Sequence, residues 1–558
     1  AFPGYHTLNR MQSAVCHVAL ETSENMLVCA PTGAGKTDVA MLTVLKCIHD
    51  YRIHDGSIAK DSFKIVYVAP MKALAAEVTA KFSKRLKPYG LSVREYTGDM
   101  QLSKSEVRST QMLVTTPEKW DVLTRKSQGD TELVDRVRLL IIDEVHLLQD
   151  DRGSVLEAIV ARTLRAVEMS QRPIRLVGLS ATLPNYVDVA SFLRVNLYSG
   201  LFYFDEVFRP VPLSQTIIGI KGNSESMQRE RLNQVCFDRC CQFLSEGHQV
   251  MIFVHSRNET VSTARQLIRT AMEEGKLSLF LPPDVTENGY KRASIEVSQK
   301  SRNKELQDLF KSGLAMHHAG MLRSDRGLVE GLFEAGHVRV LVCTATLAWG
   351  VNLPAHAVII KGTSVWDSQR GGPVRLGVLD VLQIFGRAGR PQYESHGEAI
   401  LLTKHADLHH YLTALLTQTP IESRLGGHLP DLLNAEIALG TVSSIEEAIR
   451  WLSYSYLSIR VSKNPTAYGL TPKDLTKDPT LHEHWTNVIR SAALSLKSCD
   501  MIGFDPVSGR FASKDLGRIA SHYYLGYETV GLFASIMGTS GVSEEVILAM
   551  ISQATEFK

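Results

Sequence analysis

Residues 30–37 read A-P-T-G-A-G-K-T and lie between a short apolar run, residues 26–29, and a helix-like run, residues 39–48. The glycines allow the backbone to approach anionic oxygens, and the first N–H groups of the following helix can donate to phosphate. The strict pattern has Gly at the first position, where this chain has Ala. The segment predicts a triphosphate-binding loop with Lys36 at the β/γ-phosphates and Thr37 on Mg²⁺. Its predicted residues are Ala30, Pro31, Thr32, Gly33, Ala34, Gly35, Lys36 and Thr37.

A pair of carboxylates, Asp143-Glu144, follows the apolar run 137–142. A run of this kind predicts a buried parallel strand, and ligands bind at the carboxyl ends of such strands. Asp143 is therefore expected to hold Mg²⁺, and Glu144 to orient and deprotonate an attacking water. The alternative is two acidic residues that only end a strand. The phosphate loop upstream favours hydrolysis.

A third segment, residues 383–390, reads Q-I-F-G-R-A-G-R. The sequence predicts a helix that carries Gln383, with Arg387 and Arg390 three residues apart on one face. Paired guanidinium groups can clamp a γ-phosphoryl group and stabilise its developing charge. A surface helix with salt bridges is the alternative.

Two α/β domains must position these residues, because short aliphatic runs alternate with amphipathic stretches in two successive parts of the chain. The clearest predicted strands are 64–69, 112–115, 139–142 and 176–179, and then 249–254, 338–342, 357–360 and 399–402. Only the first domain has a phosphate loop. We therefore expect the second domain to complete the site of the first.

Helical patterning replaces the strands beyond about residue 405, at 432–439, 445–456 and 488–496. A polar hairpin candidate, 504–511, follows. Three helices with a two-stranded wing are typical of a winged-helix module. Residues 528–558 are expected to begin a further helical domain that is cut short, and the start on Ala1 without Met indicates a piece of a longer chain.

Composition excludes some classes of protein. The 558 residues are 44% hydrophobic and carry a formal net charge of only +2, so any basic track for nucleic acid must be local. No apolar run has membrane-spanning length, and no signal peptide is visible. The eight cysteines form no C-x-x-C pair. Cys236, Cys240 and Cys241 favour a buried stripe over zinc, and a reducing compartment is expected.

The ordered motifs resemble those of superfamily-two DEAD/DEAH-type helicases. They are Lys36-Thr37, 143–146 (D-E-V-H), 180–182 (S-A-T) and 383–390. Segments 69–75, 97–99, 116–119 and 344–354 resemble the superkiller-type branch. Segments 100–106 and 117–122 are similar to the first cassette of the activating signal cointegrator helicases, with the spliceosomal two-cassette helicases as the alternative.

The resemblance implies an α/β fold with two RecA-like domains, 1–205 and 206–405, a winged-helix domain, 406–525, and the start of a Sec63-like helical domain, 526–558. It implies that ATP binds between the RecA-like domains. Gln12 would recognise adenine, Phe2 or Tyr5 would stack on it, and Gly350 and Asn352 would contact the nucleotide from the second domain. Ser180 and Thr182 would link the nucleotide state to the strand-binding face.

The resemblance also implies an ATP-dependent helicase that moves 3′→5′ along one strand of DNA or RNA. An ATP-gated nucleic-acid clamp or scaffold is the alternative. The hairpin-like segment 362–375 would wedge between paired strands, although it could be an ordinary surface loop. The residues implied to contact the strand are Pro70, Lys72, Thr97, Gly98, Thr116, Glu118, His255, Ser256, Arg257, Thr344, Thr346, Trp366 and Arg370.

The expected partners are single-stranded and partly duplex DNA or RNA, a second helicase cassette in the full-length chain, and other subunits of a complex. No membrane partner is expected. The resemblance implies that the protein is found in the nucleus and the cytosol.

Overall fold

The structure, a computed structural model, describes residues 2, 7–125, 132–282, 288–345, 347–348, 353–367, 371–389, 394–417, 419–537 and 543–557. The chain divides into two compact units. The first unit comprises Ala1–Ala30, Gly35–Phe204 and Pro420–Lys558, and the second comprises Pro31–Ala34 and Asp205–Thr419.

A seven-stranded parallel sheet forms the centre of the first unit, with strand order β3-β4-β2-β5-β6-β1-β7. Its interior strands are almost wholly buried, as the aliphatic runs of the sequence require. The strands are β1 (Met26–Cys29), β2 (Lys64–Val68), β3 (Val93–Tyr96), β4 (Met112–Thr115), β5 (Val137–Ile142), β6 (Arg175–Ser180) and β7 (Leu201–Tyr203).

Helices connect these strands, as parallel neighbours require. Capping boxes at Asn9 and Ser103 begin α1 and α4. The helices are α1 (Arg10–Glu21), α2 (Lys36–Asp50), α3 (Lys72–Leu86), α4 (Lys104–Ser109), α5 (Pro117–Arg125), α6 (Glu132–Asp135), α7 (Gly153–Ser170) and α8 (Tyr186–Phe192).

A six-stranded parallel sheet, with order β10-β11-β9-β12-β15-β8, forms the centre of the second unit. A two-stranded antiparallel hairpin, β13-β14, projects between β12 and β15 in the chain. The strands are β8 (Leu213–Ile220), β9 (Val250–Val254), β10 (Leu314–His317), β11 (Val340–Thr344), β12 (Ala357–Lys361), β13 (Ser364–Asp367), β14 (Gly372–Arg375) and β15 (Gly397–Lys404).

The helices of the second unit include His405–Thr417, whereas the sequence analysis placed residues from 406 onward in the winged-helix domain. They are α9 (Glu225–Ser245), α10 (Arg257–Glu273), α11 (Leu277–Phe280), α12 (Asn288–Lys300), α13 (Lys304–Phe310), α14 (Arg323–Glu334), α15 (Val378–Phe385) and α16 (His405–Thr417).

The winged-helix prediction is confirmed in the last part of the chain, where helices pack with the antiparallel pair β16 (Ile502–Asp505) and β17 (Arg510–Ser513). The single helix predicted over 445–456 is wrong. The helix ends at Leu452, and Ser455 caps a new one by accepting from the Ser458 N–H. The helices are α17 (Leu429–Ala438), α18 (Ile445–Leu452), α19 (Tyr456–Lys463), α20 (Pro472–Lys477), α21 (His482–Ser498), α22 (Asp515–Tyr523), α23 (Tyr527–Met537) and α24 (Glu544–Gln553).

The strands that the sequence pattern did not mark are β3, β7, β8 and β10, and they are the edge strands of the two sheets. An edge strand has one neighbour, so its apolar run is less constrained than that of a central strand. Across the described part of the chain, no helix is both long and apolar enough to cross a membrane.

Candidate functional site

The predicted phosphate loop connects β1 to α2. Gly33 and Gly35 have φ of 85° and 97°, a left-handed conformation that side chains disfavour, and Gly35 is the N-cap of α2. The Lys36 ammonium donates to the carbonyl oxygen of Ala30 at 2.8 Å, across the loop. The N–H groups of the first helical turn, a lysine and a glycine backbone therefore converge at the N-terminus of α2, an arrangement suited to phosphate.

Gln12, predicted to recognise adenine, lies on α1 and is only 2% exposed. Its amide oxygen accepts from the Asn9 N–H, and its amide nitrogen donates to Asp38 at 3.3 Å. A Cβ built on Gly35 would lie 2.5 Å from that nitrogen, so the amide is packed against the phosphate loop. Gln12 is therefore placed at the loop, and its role with adenine stays a prediction.

Asp143 lies directly after β5 and is 9% exposed. It accepts two hydrogen bonds, from the Tyr67 hydroxyl at 2.6 Å and from the Glu144 N–H at 3.0 Å. Burial and then the Glu144 charge raise its pKa to about 7, whereas the Tyr67 hydrogen bond and the Lys36 charge lower it. The positive charge of Lys36, on the phosphate loop, therefore acts directly on the Asp143 carboxyl, and the two belong to one electrostatic environment.

Glu144 has a left-handed backbone, with φ of 53°, and its Oε2 is buried without a hydrogen-bond partner. Burial and then the Lys36 charge lower the pKa of the nearby His146 to about 3, so this imidazole is neutral. Its Nδ1 accepts from the Ala181 N–H at 3.2 Å and therefore carries no proton to give to Glu144, 3.4 Å away. One carboxylate oxygen thus remains as a strong acceptor.

Such a buried, unsatisfied oxygen beside a second carboxyl is costly unless another group donates to it. A metal-bound or attacking water would supply that donor, and a cation would favour the ionised form of Asp143. Mg²⁺ prefers oxygen ligands. The carboxylate of Asp143, after β5, and the hydroxyl of Thr37, at the start of α2, supply such oxygens. The residues therefore fit Mg²⁺.

His146 also connects two of the predicted motifs. Ser180 ends β6, its Oγ lies 3.5 Å from Nδ1 of His146, and its carbonyl accepts the Ala30 N–H at 3.1 Å. The segment 180–182 is therefore joined both to the carboxylate pair and to the first residue of the phosphate loop. Thr182 is half-buried next to it.

In the second unit, Gln383 lies on α15 and is 5% exposed. The prediction that this helix carries Arg387 is wrong, because α15 ends at Phe385. The backbone instead pairs with Ala355, whose N–H donates to the Arg387 carbonyl and whose carbonyl accepts from Gly389, with φ of 88°. The Arg387 guanidinium donates to the Ala348 carbonyl, through Nε at 2.9 Å. Arg390, Gly350 and Asn352 lie outside the described residues.

The predicted strand contacts of the first unit follow β2, β3 and β4. Thr97 and Thr116 are buried, so the structure exposes neither residue to a strand, whereas the neighbouring Gly98 is exposed. Lys72 and Asp99 form an exposed ion pair at 2.7 Å, beside Gly98. Glu118 pairs with an arginine outside the prediction, Arg152, which also donates to the carbonyl of Pro70.

The strand contacts predicted in the second unit lie near the hairpin β13-β14. Nε2 of His255 is 2.7 Å from the Gly362 carbonyl at the base of the hairpin, and Ser256 caps α10. Arg257 begins α10, and Thr344 ends β11. The hairpin itself is confirmed, and the side chain of Trp366 on it is 68% exposed. Thr346 and Arg370 lie outside the described residues.

Family profiles match most of the chain. A DEAD/DEAH box helicase profile matches residues 9–189, and a helicase conserved C-terminal domain matches 276–392. A winged helix-turn-helix domain matches 422–498, and a Sec63 Brl domain matches 513–558. The chain is a DExH-type helicase cassette.

Curated relatives agree with this assignment. The cassette is 57% identical over 557 residues to activating signal cointegrator 1 complex subunit 3 of Mus musculus, and 52% identical over 562 residues to the RQC trigger complex helicase SLH1 of Saccharomyces cerevisiae. It is also 52% identical to the DExH-box ATP-dependent RNA helicase DExH14 of Arabidopsis thaliana. Each alignment covers the whole chain but only 25%, 28% and 26% of these relatives. The predicted similarity to the cointegrator helicases is confirmed.

Sequence reasoning on this helicase cassette missed two residues that the structure brings to the site. Tyr67 stands out only as an aromatic residue within the aliphatic strand β2, and its hydroxyl partner is 76 residues away. Arg152 belongs to an ordinary-looking polar stretch, D-D-R-G, after the carboxylates. Neither position carries a periodicity signal.

Proposed function

We propose that this chain is an ATP-driven helicase cassette that moves 3′→5′ along one strand and separates duplex nucleic acid. The observation that carries the proposal is the Asp143-Glu144 pair, in which the Asp143 side chain and one Glu144 oxygen are buried. It shares an electrostatic environment with Lys36 and leaves one Glu144 oxygen as an unsatisfied acceptor. The direction of movement rests on the family resemblance.

Each residue has a role that follows from its position. The backbone N–H groups of the phosphate loop and Lys36 would bind the β- and γ-phosphates. Asp143 and Thr37 would hold Mg²⁺, which would neutralise phosphate charge when bound. Glu144 would accept a proton from the attacking water through its unsatisfied oxygen. Arg387 and Arg390 would stabilise the charge that develops on the γ-phosphoryl group.

Strand binding is proposed for the other half of the same sheet edge. The strand order places β5, β6 and β1 next to one another, and the nucleotide motifs follow these strands. The strands β3, β4 and β2 lie on the opposite side, and the loops after them carry Pro70, Thr97, Gly98 and Thr116. Of these residues Gly98 is exposed, and contacts from its backbone and from the exposed Lys72 would grip phosphates without recognising sequence.

A Glu144→Gln variant tests hydrolysis. It keeps the size of the side chain and removes the base, so kcat of the strand-stimulated ATPase should fall by about 10²-fold or more, with ATP binding retained. Phosphate release, measured with and without single-stranded RNA or DNA, gives the rate. Exposed Glu230→Gln on α9 is the matched control. Undiminished turnover in Glu144→Gln would refute the base assignment, and a strand-insensitive wild type would favour the clamp alternative.

The hairpin tests duplex separation. Val365 pairs with Val374, so replacing residues 366–373 by Asn-Gly closes a shorter hairpin without changing the register at its base. We expect the variant to keep strand-stimulated ATPase and to lose unwinding of a duplex with a 3′ overhang. Loss of both activities would contradict a wedge.

The cassette spans about a quarter of its curated relatives, so we also propose a second cassette and further subunits in the intact protein. The printed names of those relatives, a complex subunit and an RQC trigger complex helicase, support this. RNA is the first substrate to test, because one relative is named as an RNA helicase. Matched DNA and RNA duplexes decide between the two. We propose the nucleus and cytosol as the location.

A further inference from the structure

Arg152 contacts two of the proposed strand-binding loops at once. Its Nε donates to the Glu118 carboxylate at 2.5 Å, and its Nη1 donates to the carbonyl oxygen of Pro70 at 2.5 Å. Pro70 follows β2 and Glu118 follows β4, and these strands are neighbours in the sheet. One guanidinium group therefore bridges the ends of two adjacent strands.

The backbone of Arg152 is itself held in place by the segment that follows the catalytic carboxylates. Arg152 is the N-cap of α7, and its carbonyl accepts from the N–H of Val155. A Cβ on the next residue, Gly153, would lie 2.0 Å from the Leu148 carbonyl oxygen, so the chain approaches this segment as closely as glycine permits. The guanidinium thus reaches the strand loops from a point fixed relative to Asp143 and Glu144.

The shape of the arginine side chain suits this bridge. Its planar group has several N–H donors in fixed directions and can serve a carboxylate and a carbonyl together, whereas a lysine ammonium is a point charge. The side chain of Arg152 is 44% exposed and that of Glu118 is 32% exposed. Solvent weakens the ion pair, so its main effect is on geometry.

We propose that Arg152 is a positioning residue that sets the spacing between the Pro70 loop and the first turn of α5, which carries Glu118, and so couples the nucleotide-binding half of the sheet edge to the strand. This inference rests on the proposed function. A strand bound across the two loops requires their separation to match its phosphates. Without the bridge, the two segments are held together less firmly. Strand binding must then also order them, and the entropy lost in doing so weakens the affinity.

Two substitutions separate positioning from direct phosphate contact. Arg152→Gln removes the charge and Arg152→Lys keeps it, but neither has the planar guanidinium group that donates to both acceptors from fixed directions. Positioning predicts that both variants weaken binding of a fluorescein-labelled single strand by about five- to tenfold, on the order of one ordinary hydrogen bond, because solvent weakens the exposed ion pair. The strand concentration that gives half-maximal stimulation of the ATPase should rise by the same factor. Arg172→Gln is the control. This exposed residue precedes β6 and lies at the amino ends of the parallel strands, away from the proposed strand-binding loops.

Coupling to Glu118 provides the second readout. If the two residues act as one unit, the affinity of the double variant Arg152→Gln/Glu118→Gln for the strand is within about twofold of that of Arg152→Gln alone. Multiplied losses, or an Arg152→Lys variant with wild-type affinity and an Arg152→Gln variant without, would overturn the proposal in favour of separate phosphate contacts. Wild-type affinity in both single variants would overturn it as well.

Strand binding is measured without hydrolysis, so the outcome for Arg152 is independent of whether the cassette proves to be a motor. Thermal melting of each variant identifies loss of folding. Where Arg152→Gln melts early, Glu118→Gln carries the test, because it removes the ion pair and leaves Arg152 in place. An unchanged affinity in that variant would then overturn the bridge.

Discussion

Glu157 should make the stability of the first unit depend on pH. This residue of α7 is completely buried, and both its oxygens accept hydrogen bonds from the winged-helix part of the chain. Ser423 Oγ donates to Oε1 at 2.5 Å, and the Leu457 N–H, in the first turn of α19, donates to Oε2 at 2.9 Å. Burial outweighs these bonds and raises the pKa of Glu157 from 4.5 to about 8.

The sign follows from this direction. The folded state binds the proton more tightly than the unfolded state, so the contribution of Glu157 to stability is complete below pH 4.5 and is lost as the pH rises through about 8. At 1.36 kcal/mol for each unit of pKa, the loss between pH 6 and pH 9 is about 2–3 kcal/mol. The carboxylate then remains buried with neutral donors only, from Ser423 and from the backbone at Tyr456 and Leu457.

A Glu157→Gln variant should remove this dependence. The Gln oxygen can accept from the Leu457 N–H, and its NH₂ group can donate to Ser423 Oγ, so both contacts survive without a titrating group. We expect equal stability to wild type near pH 5 and greater stability at pH 9. Urea unfolding followed by the fluorescence of buried Trp451 and Trp485 measures it.

The difference between wild type and variant cancels groups that titrate in both, such as Asp143. Glu545→Gln, at an exposed position on α24 of the same unit, is the control and should follow wild type at every pH. Parallel stability profiles for wild type and Glu157→Gln would refute the reasoning, because they would mean that Glu157 is ionised at pH 6 in the folded state.

Two further predictions concern packing. Gly153→Ala should lower the free energy of unfolding by about 3 kcal/mol, because the added Cβ meets the Leu148 backbone. The control is Gly327→Ala on α14, where nothing lies within 4 Å of the added Cβ and the change should be neutral or stabilising. Thermal unfolding of both variants compares them. Lys64→Met should cost about 3 kcal/mol, because the buried ammonium donates to the carbonyls of Val107, Arg108 and Thr110, and exposed Lys60→Met should stay near wild type. Wild-type melting of Lys64→Met would show that those carbonyls find other donors.

Much of the fold was predictable from local pattern. The aliphatic runs marked the central strands of both sheets, because a strand covered on two faces must be apolar throughout. The glycines of the phosphate loop and the turn-forming tip of the 362–375 hairpin are also local signals. The edge strands β3, β7, β8 and β10 were missed, because one-sided pairing leaves weaker constraints on their side chains.

Local pattern misplaced Arg387. A 3.6-residue period put it on a helix with Arg390, but Gly386 ends α15, and Arg387 pairs through its backbone with Ala355. Ala355 is 32 residues away in the chain, and the pairing depends on where β12 begins relative to α15. A long-range backbone contact therefore overrode the helical period.

The sequence by itself determined which chemical groups are present and which end of each strand carries them. Only the tertiary structure decided their partners: Tyr67 for Asp143, Arg152 for two strand loops, and Ser423 for Glu157, 266 residues apart. Such pairs arise from the order of the strands in the sheet and from the packing of the winged helix on α7. Neither the strand order nor this packing can be read from the periodicity of residues along the chain. The same long-range packing excludes water, and it is this exclusion that moves the pKa values of Asp143, His146 and Glu157.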